Sequence, residues 1–412
     1  MQLELVTIAV LVLMFIIGTV RDLNMGVLGL AAAFAVGLAG VGMEVDDIFA
    51  GFPVDLFLAL MGLTFLFGFA QQNGSIDLIL QWSLRMVRGR VAAAPWIFFA
   101  LAGLLMGIGA IFAIAVVAPL AIPFARKYRI NQLMMGMMVV HGAMAGAFSP
   151  MSVYGVFING FLAQQGIVQD RFLLFAASFV FNTVIAVVLY VTLGGRSLLG
   201  RRIDDTDPAD PSPSLRPDAY QVLTLVGLAA MAVGTAVFGL DIAVLSIGIG
   251  TLLGIVNPGD AKTSLAGVSW GTAILVSGVV TYIHVLQEAG TVEFTSNGIA
   301  ALGMPLLAIL LLCYLGGVVS ALASSIGTIG ITVAIAAPLL AGSDLNPVAV
   351  VAALAISATV VDVSPFSTNG AMVLANVDKQ QQGPFFRQMM IYSGIIVALA
   401  PLLAWLAVFL PA

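Results

Sequence analysis

Long apolar runs separated by short polar stretches set the pattern of the chain. Runs long enough to cross a bilayer as a helix, roughly 20 residues, occur at about 4–20, 25–43, 51–71, 133–163 and 172–195. They resume at about 219–237, 241–256, 266–285, 346–376 and 388–410. Between the third and fourth run of each set lies one more apolar stretch, at about 94–124 and 301–341. Two runs are interrupted in the middle, by Phe148-Ser149-Pro150-Met151-Ser152-Val153-Tyr154-Gly155 and by Val363-Ser364-Pro365-Phe366-Ser367-Thr368-Asn369-Gly370. Proline removes a backbone donor and clashes one turn back, and it pushes the preceding serine out of the helical region. The pattern therefore predicts two broken helices. The segments 75–90 and 291–300, which precede the additional stretches, read as short helices lying in the interface.

The second set repeats the first at a nearly constant spacing. Ala50-Gly51 matches Ala266-Gly267 and Gly74 matches Gly290, both 216 residues apart. Ala118-Pro119-Leu120 matches Ala337-Pro338-Leu339 at 219, and Ser149-Pro150 matches Ser364-Pro365 at 215. We read a duplication, with residues 1–195 and 219–412 as the repeats. The insert 196–218, rich in proline and acid (Asp204, Asp205, Asp207, Asp210), reads as a linker.

Charge orients the repeats, because Lys and Arg favour the cytoplasmic side. With Arg196, Arg201, Arg202 and Arg216 of the linker placed there, the stretch 94–124 has cytoplasmic basic residues on both flanks. These are Arg85, Arg88 and Arg90 on one side, and Arg126, Lys127 and Arg129 on the other. Such a stretch must enter and leave on one face, as a re-entrant hairpin turning near Gly107-Ile108-Gly109. Its counterpart, flanked by Glu288, Glu293 and Asp344, enters from outside. Fourteen of the 15 Lys and Arg residues then fall inside, Arg171 being the exception. The expected fold is an all-α polytopic membrane protein. It is an inverted-topology repeat of five spanning helices plus one re-entrant hairpin per half, with a broken helix in each half.

Composition agrees: the 412 residues are 61% hydrophobic and 8% charged, against about 25% charged in soluble domains. The net charge of −5 says nothing about nucleic acid, and no nucleic-acid partner is expected of a polytopic membrane protein. Cys313 is alone, which excludes an intramolecular disulfide. The start, Met1-Gln2-Leu3-Glu4, lacks the basic region of a signal peptide, so 4–20 reads as a retained span. The 44 glycines suit close helix packing in lipid.

Broken helices in corresponding halves of a membrane protein point to a transport site. Half-helix N-termini offer amides and positive dipole ends to an anion, while freed carbonyls and hydroxyls suit a hard cation. Ser149, Ser152, Ser364, Ser367 and Thr368 are the candidates, against the plainer reading that each bonds its own backbone. Asn369 beside the second break offers a donor and an acceptor. Asp362 is the one acid inside a span, a cation ligand or proton carrier by default, or else a group stabilising the break. His141, two turns before Ser149, reads as a proton relay or as a neutral histidine bonding a neighbouring helix. His284 is expected at the interface, and Asp55 in water at an outer boundary. Asn159 and Asn376 are expected to bond between helices. The second hairpin carries Ser320, Ser324, Ser325 and Thr328 near its turn, where the first has Gly107, Gly109 and Ala110. No Walker, His-Glu-x-x-His or Gly-x-Ser-x-Gly sequence occurs, and no base stands near Ser149 or Ser364 for a hydrolase.

These residues carry a resemblance. Asn24-Met25-Gly26, the run Ile48-Phe49-Ala50-Gly51-Phe52-Pro53-Val54-Asp55-Leu56-Phe57, Arg88-Gly89-Arg90 and His141-Gly142-Ala143 through Gly155 resemble the malonate/dicarboxylate carriers. The breaks resemble those of the divalent-anion:sodium symporter group in the wider ion transporter superfamily. The resemblance implies a dimeric, elevator-type secondary carrier whose substrate lies between hairpin tips and broken helices. It differs at the tips, where that group has Ser-Asn-Thr and this chain has Gly109-Ala110-Ile111 and Ser324-Ser325-Ile326-Gly327-Thr328. The expected function is transport of a small carboxylate, a malonate-like dicarboxylate, coupled to sodium or protons. The alternatives are an exchanger or exporter of another anion, a cation/proton antiporter, and, from another class, a membrane-embedded enzyme. Substrate contacts are expected from Gly109, Ala110, Ser149, Pro150, Ser152, Ser325, Thr328, Ser364, Pro365, Ser367, Thr368 and Asn369. The coupling ion, sodium as the sole metal or a proton, is expected at Asp362, Ser324, Ser364, Thr368, Asn369 and Ser149, chiefly in the second half. No other cofactor is expected; the setting is the cell inner membrane, with a homodimer and a cytoplasmic linker.

Overall fold

The computed structural model describes residues 2–21, 23–86, 90–164, 171–201, 216–291, 294, 304–321, 325–341 and 345–406. Ten α-helices precede the linker. They are α1 (Gln2–Arg21), α2 (Met25–Val36), α3 (Val45–Ala50), α4 (Val54–Gln72), α5 (Ser75–Met86), α6 (Ala94–Gly107), α7 (Ala113–Lys127), α8 (Gln132–Gly146), α9 (Val153–Gln164) and α10 (Arg171–Thr192). After it come α11 (Ala219–Ala236), α12 (Ile242–Val256), α13 (Pro258–Ala266), α14 (Trp270–Glu288), α15 (Pro305–Ser320), α16 (Ser325–Ala341), α17 (Pro347–Val360), α18 (Thr368–Ala375) and α19 (Gln382–Leu406). The second series follows the order of the first, except that most of 291–300, opposite α5, lies outside the described residues.

Local sequence explains the boundaries, and often by the same device in both series. Asn24 and Asp241 accept backbone N–H groups at the starts of α2 and α12, and Asn131 and Asn346 do so for α8 and α17, which supplies partners for otherwise orphaned amides. Gly74 and Gly290 end α4 and α14 with φ of 75° and 70°, a left-handed conformation that costs glycine nothing. Four helices contain apolar segments long enough to cross a membrane unaided: Val54–Gln72, Phe172–Thr192, Trp270–Glu288 and Gln382–Leu406. The first expected hairpin turn is found as well. The chain turns between α6 and α7 at Ile108–Phe112; α15 packs on α16, and residues 322–324 between them, Ser324 included, lie outside the described residues.

The helices form two groups. In one, α4 packs on α12, α2 on α14, and α4 on α14. Gly62 and Gly278, 216 residues apart, sit at the first two of these contacts. A β-carbon on Gly278 would stand 1.9 Å from the Gly26 carbonyl oxygen, so α2 and α14 touch backbone to backbone as small residues permit in lipid. In the other group α8 packs on α6, α7 and α10, and α17 on α15, α16 and α19. The groups meet where α9 contacts α4 and where α16 contacts α14. An Arg126–Asp378 ion pair joins the end of α7 to the connection after α18.

Candidate functional site

The two breaks are built alike. In the first, the Ser149 N–H donates to the Gly146 carbonyl at 3.1 Å and the Ser152 N–H to the Ser149 carbonyl at 2.9 Å. The Ser152 hydroxyl donates to the Ala147 carbonyl and, at 2.8 Å, to that of Ser149, while accepting the Gly155 N–H at 2.9 Å. In the second, the Ser364 N–H donates to the Val361 carbonyl at 3.1 Å and the Ser367 N–H to that of Ser364 at 3.0 Å. The Ser367 hydroxyl is 2.7 Å from each of the Asp362 and Ser364 carbonyls and accepts the Gly370 N–H at 3.2 Å. A β-carbon on Gly155 or Gly370 would lie 1.9 Å from the Ser149 or Ser364 carbonyl oxygen. The break is thus a closed turn in which one hydroxyl serves two carbonyls and one amide. Only glycine fits against it in the first turn of the next helix, at Gly155 and Gly370.

This separates serines that the sequence treats as equals. The hydroxyls of Ser152 and Ser367 are committed to the backbone, the plainer of the two readings. Ser149 and Ser364 accept the N–H two residues on, at 3.4 and 3.2 Å. Neither hydroxyl hydrogen is given an acceptor among the described residues.

The tips come to the breaks. Gly109, at φ 108°, packs its α-carbon face against the Met151 carbonyl, and Gly107 lies beside Ser149. Ala110 is buried next to them. At the second tip the Ser320 hydroxyl donates to Ser325 at 2.8 Å. The Asp362 carboxylate accepts the Asn369 amide at 3.0 Å, with Ser325 as its other side-chain partner. Tyr154, from the first half, is buried within reach of Ser325 and Asp362. Tyr154, Ser325, Asp362 and Asn369 are all buried, so one acid is surrounded by groups from α9, α16 and both sides of the second break. Thr328 is buried within the second hairpin opposite Gly316, and Thr368 is exposed. Ser324 lies outside the described residues. Pro365 is buried, whereas Pro150 opens on a crevice of about 480 Å³. The crevice runs between α4, α9 and the α11–α12 connection, with Asp55, Asn159 and Asp241 on its walls.

His141 belongs to a different network. Its Nδ1 is 2.9 Å from Asn182 Oδ1 and its Nε2 is 2.6 Å from the Tyr392 hydroxyl. The Asn182 amide nitrogen donates to the Ser178 carbonyl at 3.0 Å. Its oxygen therefore accepts, the proton of the neutral ring sits on Nδ1, and Tyr392 donates to Nε2. This ties α8 to α10 and α19. Asn376 donates to the Met372 carbonyl of its own helix at 2.8 Å instead of reaching a neighbour. Tyr154, Asn182 and Tyr392 carried no sequence signal, since each acquires its partner from a segment distant in the chain.

Residues 1–147 match the family model of the dicarboxylate carrier protein MatC N-terminus, and residues 237–411 match the citrate transporter model. Among solved structures, the YdaH transporter of Alcanivorax borkumensis, described as having an unusual topology, is similar in fold. Its TM-score is 0.60 over 88% of this chain and 86% of that one, at 16% identity. No curated protein matches the chain. The chain thus resembles a dicarboxylate carrier over residues 1–147 and a citrate transporter over residues 237–411, and both resemblances are to multi-pass carriers.

The break geometry makes a stability prediction. Ser152→Ala or Ser367→Ala removes a helix cap and is expected to cost about 0.5–2 kcal/mol, lowering the melting temperature of the detergent-purified protein. Ser149→Ala and Ser364→Ala are expected to melt close to the parent. Equal destabilisation by all four would contradict the division of roles.

Proposed function

We propose that the protein is a secondary active transporter of a small dicarboxylate of the malonate type, driven by sodium or protons. The observation that carries this reading is the paired breaks, each with a hydroxyl left free at Ser149 or Ser364 and with Asp362 at the second alone. Carboxylates of the substrate are met by these hydroxyls and by the N-terminal ends of α7, α9, α16 and α18. Gly109, Ala110, Pro150 and Pro365 shape the cavity, Ser152 and Ser367 hold the turns, and Ser325, Thr328, Thr368 and Asn369 complete the polar surface. The coupling ion binds in the second half at Asp362, with Ser324, Ser364, Thr368 and Asn369 as further oxygen ligands. Ser149 is the first-half contribution.

The repeats, 1–195 and 219–412, are inverted about a cytoplasmic linker in the cell inner membrane, and the carrier works as a homodimer. The group built on α2, α4, α12 and α14 is the fixed layer, and the group around α8 and α17 moves against it. The contact pattern supports that division. Within each group most of the larger contacts of one half recur in the other, as for α8 with α6 and α17 with α15, although α15 with α19 and α7 with α18 have no such counterpart. Between the groups α4 meets α9, whereas α14 meets α16. The repeat relation is broken where one layer slides on the other.

Five measurements test this reading. In proteoliposomes, counterflow of labelled malonate is expected, with hydrolysis of substrate without movement of label sinking the proposal. Ser149→Ala and Ser364→Ala should each raise KM tenfold or more, about 1.5–3 kcal/mol for a hydrogen bond to a charged group. Asp362→Asn should keep exchange while losing its response to the cation gradient, and an unchanged gradient response would remove the ion from Asp362. For the moving layer, a β-carbon on Gly160 would stand 2.2 Å from Leu56 Cδ2. A Leu56→Cys, Gly160→Cys cross-link in a Cys313→Ala background should stop transport until reduced, and continued transport by the cross-linked protein would refute the sliding. For sidedness, a cysteine placed between Arg126 and Arg129 should react with an impermeant reagent from the inner face alone.

A further inference from the structure

Two cavities outside the transport site share a wall. A polar cleft of about 440 Å³ lies between the α7–α8 connection and the start of α19, lined by Asn131, Gln132, Gln381 and Gln388. Gln132 donates to Gln381 across it at 3.1 Å. Asn131, Leu133 and Gln388 also line the mouth of a second cavity, a groove of about 650 Å³ between α10 and α19. Beyond that mouth the lining is apolar: Phe181, Val188, Ile395, Leu399 and Leu403, with the ring of Tyr392 between them. From Gln388 to Leu403 the groove follows α19 for about 22 Å at 1.5 Å per residue. That exceeds the roughly 15 Å depth of half a bilayer's hydrocarbon core.

The mouth is basic. Arg387 precedes Ile391 of the groove by one turn, on the same face of α19. Arg129 lies two residues before Asn131 and is exposed. Arg201 donates to the Tyr128 and Arg129 carbonyls, which brings its guanidinium alongside. The nearby acid Asp378 is already paired with Arg126. The site therefore has a cationic rim, then an amide-lined cleft, then an apolar channel as long as one acyl chain. A glycerophospholipid presents the complementary series of phosphate, ester carbonyls and hydrocarbon.

We propose that this is a binding site for one anionic glycerophospholipid. Its phosphate sits among Arg129, Arg201 and Arg387, its esters in the glutamine cleft, and one acyl chain lies between α10 and α19. The charge of the rim selects an anionic headgroup over a zwitterionic one, since guanidinium pairs best with uncompensated phosphate. The chain lies against Tyr392, whose hydroxyl holds His141 on the far side. An occupied groove thus braces the link between α8 and α19. This inference is independent of what the carrier transports.

Native mass spectrometry of the full-length protein in detergent tests it, with phosphatidylglycerol and phosphatidylcholine of identical acyl chains as probes. Retention of phosphatidylglycerol should exceed that of phosphatidylcholine at least tenfold. The double variant Arg129→Gln, Arg387→Gln should lower it to the phosphatidylcholine level. Ile395→Trp, which fills the groove, should abolish retention. Val188→Trp plugs it from the opposite wall and serves if the first variant does not elute as a monodisperse species. Equal retention of the two lipids overturns the proposal, as does retention unchanged by the plugging variants. So does a disulfide between two copies through Ile395→Cys in the Cys313→Ala background, which would show the groove covered by a second chain.

Discussion

A helix that stops inside a membrane must satisfy the amides and carbonyls it frees, because hydrocarbon offers them nothing. The cost of leaving one buried and unpaired is roughly 2–7 kcal/mol. This chain meets the constraint twice with the same local solution. A serine hydroxyl closes two carbonyls and accepts one amide, and a glycine three residues later lets the next helix start in contact with the turn. Everything else at the site depends on that closure. Once Ser152 and Ser367 close the carbonyls, Ser149 and Ser364 serve the backbone only as acceptors, and the hairpin turn at Gly109 has a fixed surface to rest on.

The identical turns carry different side chains, and the differences are concentrated around one charge. At the spacing of 215, Ala147 corresponds to Asp362, Val153 to Thr368 and Tyr154 to Asn369. The first half contributes to the second half's acid through the tyrosine that stands where the second half has its asparagine. Tyr154, Ser325 and Asn369 arrive from three elements, so the environment of Asp362 depends on how both breaks and the second hairpin are arranged.

The breaks, the hairpins and the order of helices were legible because proline, glycine and apolar run length act locally. The asparagine caps of α8 and α17 belong to the same class of signal. What could not be read was which hydroxyl of each Ser-Pro-x-Ser segment faces the backbone, since rotamers settle that and composition does not. Nor was the His141–Asn182–Tyr392 chain legible, because its three members lie on α8, α10 and α19 and share no periodicity. Asn376 was read as an interhelical residue, but a carbonyl one turn back in its own helix is the nearer partner. The turn of π-helix at Gly37–Val41 that ends α2 likewise had no sequence cue beyond its glycines.

Charge balance at the site supplies the remaining argument. Among the described residues Asp362 is the one buried acid, and no Lys or Arg is buried. The positive potential available to a dianion therefore comes from helix ends, each equivalent to about half an elementary charge. Four such ends, of α7, α9, α16 and α18, supply about two positive charges between them. A dicarboxylate alone matches that sum. With Asp362 ionised as well, the site is short by about one positive charge, in surroundings where an uncompensated charge is costly. For the proposed dicarboxylate, one cation or one proton at Asp362 would restore the balance and would make tight binding of the dianion conditional on the coupling ion. An Asp362-like residue in both halves would double that requirement, and Ala147 at the corresponding place in the first half keeps it to one.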